Sequence, residues 1–161
     1  NGTITVKSEK GKGSLFIFEL PFKSGTTDFT NTLSEIESVN PMNKKRILIA
    51  EDNEVNIILL KNMLRNENHL FDYVEDGKTA VEKAVLEKYD LILMDIQMPV
   101  MNGMEATAEI KKYKNDIPII AITAFALDYD KKVIMEAGIN DYLSKPFTKH
   151  QLIDAINKNI K

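Results

Sequence analysis

Residues 91–103 read LILMDIQMPVMNG. Four apolar residues run without polar alternation into a carboxylate, Asp95, and a turn rich in Pro, Asn and Gly follows. An uninterrupted apolar run of this length is the pattern of a strand buried on both faces. Such strands build parallel sheets covered by helices on either side. In those sheets the functional groups gather beyond the carboxyl ends of the strands. The placing of Asp95 therefore indicates both the fold class and where to look for chemistry.

Working outward, the same texture recurs. RILIA (46–50) and IPIIAI (117–122) are apolar runs, HLFDYVE (69–75) reads as a further strand, and INDYL (139–143) as the last. Between them lie helical patterns: 54–67 with Val55, Ile58, Leu59 and Met63, 78–88 with Ala80, Val81, Ala84 and Val85, 103–113, 127–136, and 148–160 with Leu152, Ile153, Ile156 and Ile160. Asp76-Gly77 marks a turn, and Gly138 is a plausible helix C-cap. Five strands alternating with five helices predict an α/β sandwich around a five-stranded parallel sheet with right-handed crossovers.

Upstream of Lys44 the texture differs. TITVKS (3–8) and SLFIFEL (14–20) flank the charged, Gly-bearing EKGKG, which predicts a β-hairpin. A hairpin turn also explains Gly11-Lys12-Gly13 better than a phosphate cradle does. Two strands alone are marginal in water, and Phe16, Phe18 and Leu20 would form an apolar face in need of a partner. Its free face and edges are expected to favour weak homo-association. Residues 23–43, rich in Ser, Thr, Asn and Asp, read as a linker, with a hint of a short helix at Leu33, Ile36 and Val39. The start, Asn1-Gly2-Thr3, lacks an initiator Met, so a piece of a longer chain is expected.

Composition narrows the function. Of 161 residues, 43% are hydrophobic and 28% charged, the balance of a globular domain. No apolar run approaches the ~20 residues that span a bilayer. Cysteine is absent, which removes disulfides and thiolate metal sites. A net charge of −3 gives no bulk attraction to nucleic acid.

The expected strand ends carry Glu51 and Asp52, Asp95, Thr123, and Lys145-Pro146. Three carboxylates converging on one crevice repel each other unless a cation intervenes. An all-oxygen set suits a hard cation, and beside a phosphate it suits Mg²⁺. A carboxylate can also act as nucleophile and become an aspartyl phosphate. An ammonium and a hydroxyl are then the right groups to hold the oxygens of the transferred group. Each residue alone has a plainer reading: solvated loop acids, a surface lysine, a helix-capping threonine. Their joint placing at strand ends is what argues against those readings. His69 and His150 read as surface histidines, and Met94, Met98, Met101 and Met104 as packing residues.

The set Glu51-Asp52-Asn53, Met94-Asp95-Ile96-Gln97-Met98-Pro99-Val100-Met101-Asn102-Gly103, Thr123-Ala124 and Lys145-Pro146-Phe147 resembles response-regulator receiver domains, especially those fused to hybrid sensor histidine kinases. The resemblance covers residues 44–161 and implies a flavodoxin-like (βα)5 fold with strand order 2-1-3-4-5. It implies Asp95 as phosphoacceptor from a phosphohistidine. It implies Glu51, Asp52, Asp95 and the Gln97 backbone carbonyl as Mg²⁺ ligands, Thr123 and Lys145 as phosphoryl-binding groups, and a cis peptide before Pro146. Glu51 stands where the family more often has Asp, which leaves direct or water-mediated contact open. Tyr142 falls at the family's aromatic switch position, with core packing as the alternative.

Residues 1–22 resemble the last strands of a histidine-kinase ATP-binding domain, without its nucleotide-binding segments. The fragment is then no kinase itself, although it would catalyse its own phosphorylation and dephosphorylation. Implied partners are a kinase dimerisation domain, a histidine phosphotransfer domain, or both. A cytoplasmic location is expected, without membrane contact by the fragment. Two other functions compete: an interaction module that no longer takes phosphate, and a metal-dependent phosphohydrolase. The latter usually needs a second Asp two residues after its nucleophile, where this chain has Gln97.

Overall fold

The computed structural model describes residues 2–21, 44–124 and 136–160. The expected linker over 23–43 lies outside them, as does nearly all of the expected helix over 127–136. Two units divide the chain, Asn1–Glu37 and Ser38–Lys161.

In the first unit, β1 (Thr3–Glu9) and β2 (Gly13–Glu19) pair antiparallel, from Thr3 opposite Glu19 to Glu9 opposite Gly13. Gly11 and Gly13 carry the turn with φ of 84° and 100°, a region that side chains disfavour. Ile4 faces Phe18 and Val6 faces Phe16, and all four are exposed. The hairpin and its apolar face are as the alternation predicted.

The second unit runs β3 (Arg46–Ala50), α1 (Glu54–Leu64), β4 (Leu70–Val74), α2 (Gly77–Leu86), β5 (Leu91–Asp95), α3 (Gly103–Tyr113), β6 (Ile119–Thr123), β7 (Asp141–Ser144) and α4 (Lys149–Asn159). All pairings are parallel, in the order β4-β3-β5-β6-β7. Counted within this unit that is 2-1-3-4-5, the expected flavodoxin-like order. The strand boundaries shift by one or two residues, most visibly at β6, which begins only after Pro118 because proline has no N–H for the ladder.

Alternate residues of each strand feed opposite layers. Ile47, Ile49, Leu91, Leu93, Ile120 and Ile122 pack with Leu60 and Leu64 of α1 and Leu152 and Ile156 of α4. Leu48, Ile92 and Met94 face the other way, onto Ala80 and Ala84 of α2 and Ala106 and Ile110 of α3. Met94 and Met98 are core residues with Met101 packed beside them, and Met104 packs against Ile96, Ala121 and Ile139. At β3, β5 and β6 both faces are covered, which is why these strands show no polar alternation.

The helices start where the sequence supplies caps. Asn53 accepts from the Val55 and Asn56 amides, Asp76 from Thr79, and Asn102 and Thr148 form capping boxes with Glu105 and Gln151. One expectation needs correction. Of Val55, Ile58, Leu59 and Met63, read as the helical stripe of α1, Met63 packs against the core, but the other three are exposed, and the buried residues are Ile57, Leu60 and Leu64. The helix is apolar nearly all round, so spacing alone could not tell which stripe meets the sheet.

Candidate active site

The adjacent ends of β3 and β5 bring the acids together. Glu51 follows β3, with its amide bonded to the Val74 carbonyl at 3.0 Å. Asp95 closes β5, and its Oδ1 accepts from the Gln97 amide at 3.0 Å. Lys145 follows β7, with its amide on the Thr123 carbonyl at 2.8 Å. Its ammonium reaches back across the sheet to Asp95 Oδ2 at 2.6 Å and Glu51 Oε2 at 2.7 Å. The Lys145–Pro146 peptide is cis, as expected.

Glu51 and Asp95 are only 1% and 5% exposed, whereas Asp52 is open to solvent. The three carboxylates each offer an oxygen within 4.8 Å of the others, the one such group among the described residues. Three carboxylates and one ammonium carry a formal charge of −2, which a single divalent cation neutralises. The donors are all oxygen, so the residues fit a hard ion such as Mg²⁺.

Electrostatics tie the cluster together. Burial and the Asp95 charge push the Glu51 carboxyl up, against the hydrogen bonds from Lys145 and Asn56. Burial alone would depress the Lys145 ammonium, but its bonds to Asp95 and Glu51 outweigh it and the net shift is upward. Lys145 is thus held charged between two buried anions.

The remaining predicted residues fall around this centre. Thr123 ends β6, fully buried. Tyr142 pairs with Ala121 in the ladder and Ser144 with Thr123, so Tyr142 and Thr123 lie on one face of adjacent strands. The Tyr142 side chain is 38% exposed. Gln97 is exposed in the loop after β5. Neither histidine joins the cluster: half-buried His69 accepts from the Lys45 amide at the opposite sheet end, and exposed His150 pairs with Asp154.

Two features sharpen the loop that carries Asp95. A Cβ on Gly103 would lie 2.1 Å from the Asp95 carbonyl oxygen, so only glycine lets α3 start this close to the strand end. Val100 sits at φ 68°, an unusual conformation for a branched side chain. Sequence reading missed Asn56, whose Nδ2 donates to Glu51 Oε1 at 2.7 Å. Its signal was an amide in the first turn of α1, five residues after the acid.

A cavity of about 360 Å³ opens beside the cluster, lined by Leu59 and Leu60 of α1, Ala124, Pro146 and Phe147 together with Glu51, Asn56 and Lys145. Among the described residues no helix is long and apolar enough to cross a membrane.

A parallel sheet whose central strand ends present two buried acids on one lysine, with a third acid beside them, defines a receiver of the phosphorelay type, and the chain belongs to the response regulator receiver domain family, whose model matches residues 47–157. Among curated relatives, the aerobic respiration control sensor protein ArcB of Escherichia coli is 36% identical over 160 residues, covering 98% of this chain and 20% of its own length. The chain spans only about a tenth to a fifth of the curated relatives it first matches. Among solved structures, the receiver domain of a sensor histidine kinase from Pseudomonas aeruginosa is 40% identical with a TM-score of 0.68, covering 73% of this chain and 98% of its own. That receiver holds a magnesium ion in its active-site cleft. A chain of the Saccharomyces cerevisiae complex between a histidine phosphotransfer protein and the receiver of its downstream response regulator is 31% identical. Its TM-score is 0.67, and the match covers 72% of this chain and 88% of that one.

Proposed function

We propose that this receiver accepts a phosphoryl group from a phosphohistidine onto Asp95, with Mg²⁺ held by Glu51, Asp52, Asp95 and the Gln97 backbone carbonyl. The observation that carries this reading is the Lys145 ammonium bound to Asp95 and Glu51 at once, inside a cluster of formal charge −2. A carboxylate oxygen of Asp95 attacks phosphorus and the P–N bond breaks. Its electron pair returns to the imidazole, which leaves neutral when its other ring nitrogen carries a proton. Lys145, bonded to Asp95 Oδ2, turns to a phosphoryl oxygen, and Thr123 binds another. The Gln97 amide keeps Asp95 Oδ1 oriented. Bound Mg²⁺ supplies charge neutralisation for the transferring group.

The donor histidine reaches Asp95 past the exposed face of α1. Val55, Ile58 and Leu59 are 72%, 58% and 48% exposed on one side of α1, and Leu59 also lines the cavity that Lys145 and Glu51 line. Contiguous exposed apolar surface beside a reactive group marks a docking face. Its occupant is the histidine-bearing helix of a kinase dimerisation domain or a histidine phosphotransfer domain, as the yeast complex supports for a relative. Engagement of Thr123 by phosphate then draws Tyr142 inward and reshapes the β7–α4 surface.

In this reading 1–22 is the last hairpin of a histidine-kinase ATP-binding domain, 23–43 a linker and 44–161 the receiver, in a cytoplasmic part of a hybrid kinase. The alignment with hybrid sensor kinases over nearly the whole chain supports that order. The test is incubation with phosphoramidate and Mg²⁺ followed by intact-mass measurement. One added phosphoryl group, lost in Asp95→Asn, is expected. An unmodified wild type would sink the reading.

A further inference from the structure

Glu51 has one methylene more than aspartate and therefore one more rotatable bond between backbone and carboxylate. At 1% exposure this carboxylate is withdrawn from bulk solvent, and its protein donors orient it. It has two. Lys145 holds Oε2, and that ammonium is shared with Asp95. Asn56 holds Oε1 through Nδ2 at 2.7 Å. The backbone that carries this amide is anchored, because Asn56 sits in the first turn of α1 and its backbone N–H is bound by the Asn53 cap at 3.2 Å.

The two donors differ in what happens when a cation or a phosphoryl group arrives. Lys145 is needed elsewhere and gives up Oε2. Asn56 is neutral, lies on the far side of the carboxylate from Asp95's lysine, and has no reason to let go. We propose that Asn56 is a positioning residue for the metal site: by retaining Oε1 it keeps Glu51 turned so that Oε2 is the oxygen presented to the cation, an arrangement the longer Glu side chain requires. The inference rests on the functional reading above and deepens it. Partners behind a ligand commonly set ligand orientation and metal affinity, with losses of roughly 10- to 100-fold when removed.

The experiment measures Mg²⁺ binding by calorimetry and phosphoramidate phosphorylation across Mg²⁺ concentrations, in wild type, Asn56→Ala, Glu51→Asp and the double variant. Asn56→Ala is expected to weaken Mg²⁺ binding on the order of 10-fold. In kinetics the loss should fall on the Mg²⁺ concentration for half-maximal rate, with the plateau rate recovering at saturation. In the Glu51→Asp background the shorter acid no longer reaches Asn56, so adding Asn56→Ala should change little. Equal losses in both backgrounds would show a general effect on α1 and overturn the inference, as would unchanged Mg²⁺ affinity in the single variant. A second measurement needs no variant at position 56: the side-chain amide protons of Asn56, followed by NMR in wild type, should stay hydrogen-bonded as Mg²⁺ is added. Their release would equally overturn it. Failure of the wild type to bind Mg²⁺ or take phosphate would instead bring down the functional reading, and this inference with it.

Discussion

Lys145 and Asp95, 50 residues apart, meet with Nζ 2.6 Å from Oδ2, and the same ammonium lies 2.7 Å from Glu51. This bond joins the last strand of the sheet to the central one at their carboxyl ends. It places a cation between two buried acids, where the proposed function has a phosphoryl group arrive.

Asp95→Asn should abolish phosphorylation by small donors while leaving the fold intact. The amide keeps an oxygen for the Gln97 N–H but is no nucleophile. Intact mass after phosphoramidate treatment and the far-UV dichroism of the variant are the two readouts. A normally phosphorylated variant would move the acceptor elsewhere.

Asp52→Ala should weaken Mg²⁺ binding substantially, since it removes one of three acids from the cluster. Because Asp52 is exposed, no packing is lost, and relief of like-charge repulsion should raise the melting temperature of the metal-free protein. Unchanged Mg²⁺ titration would place the ion away from Asp52.

Asp76 gives a pH-dependent cap. Hydrogen bonds from the Thr79 backbone and hydroxyl hold its carboxyl below the ordinary value of 3.8. A lowered pKa means the unfolded chain binds more protons, so the contribution is present above about 3.8 and fades as pH falls through the folded value. Asp76→Ala should cost about 1 kcal/mol at neutral pH. Asp76→Asn should keep most of the cap and lose its acid dependence. Urea midpoints for the three proteins between acid and neutral pH check this, and parallel curves would refute it.

Ile58→Glu should slow phosphotransfer from a phosphorylated histidine partner by about 10-fold or more, because it puts a charge at the centre of the proposed docking face. Phosphorylation by phosphoramidate, which needs no docking, serves as the control. Equal slowing of both reactions would mean that the substitution disturbs the site and not the interface.

Thr123→Ala should uncouple phosphate from the β7–α4 surface. Thr123 and Tyr142 share one face of neighbouring strands, so movement of the first opens room for the second. Amide spectra of residues 136–160 with Mg²⁺ and beryllofluoride should shift in wild type and stay closer to the free state in the variant. Identical shifts would leave Tyr142 as a surface residue without a switching part.

The sequence by itself determined the layer order and which charged side chains stand at the strand ends. Uniformly apolar runs such as Leu91–Met94 can exist only where both faces are covered, and the caps Asn53, Asp76, Asn102 and Thr148 mark helix starts through their own side chains. Acids and lysine at strand ends were legible because local pattern fixes where a strand stops. What only the tertiary structure decided depends on contacts between distant segments. Periodicity could not choose between Val55, Ile58 and Leu59 and the true core stripe of Ile57, Leu60 and Leu64, because both sets are apolar. The sheet made that choice by packing one stripe and leaving the other to face solvent. The reach of Lys145 to Glu51, 94 residues away, arises only once β3, β5 and β7 lie in one sheet, since a side chain's partner is set by space and not by spacing.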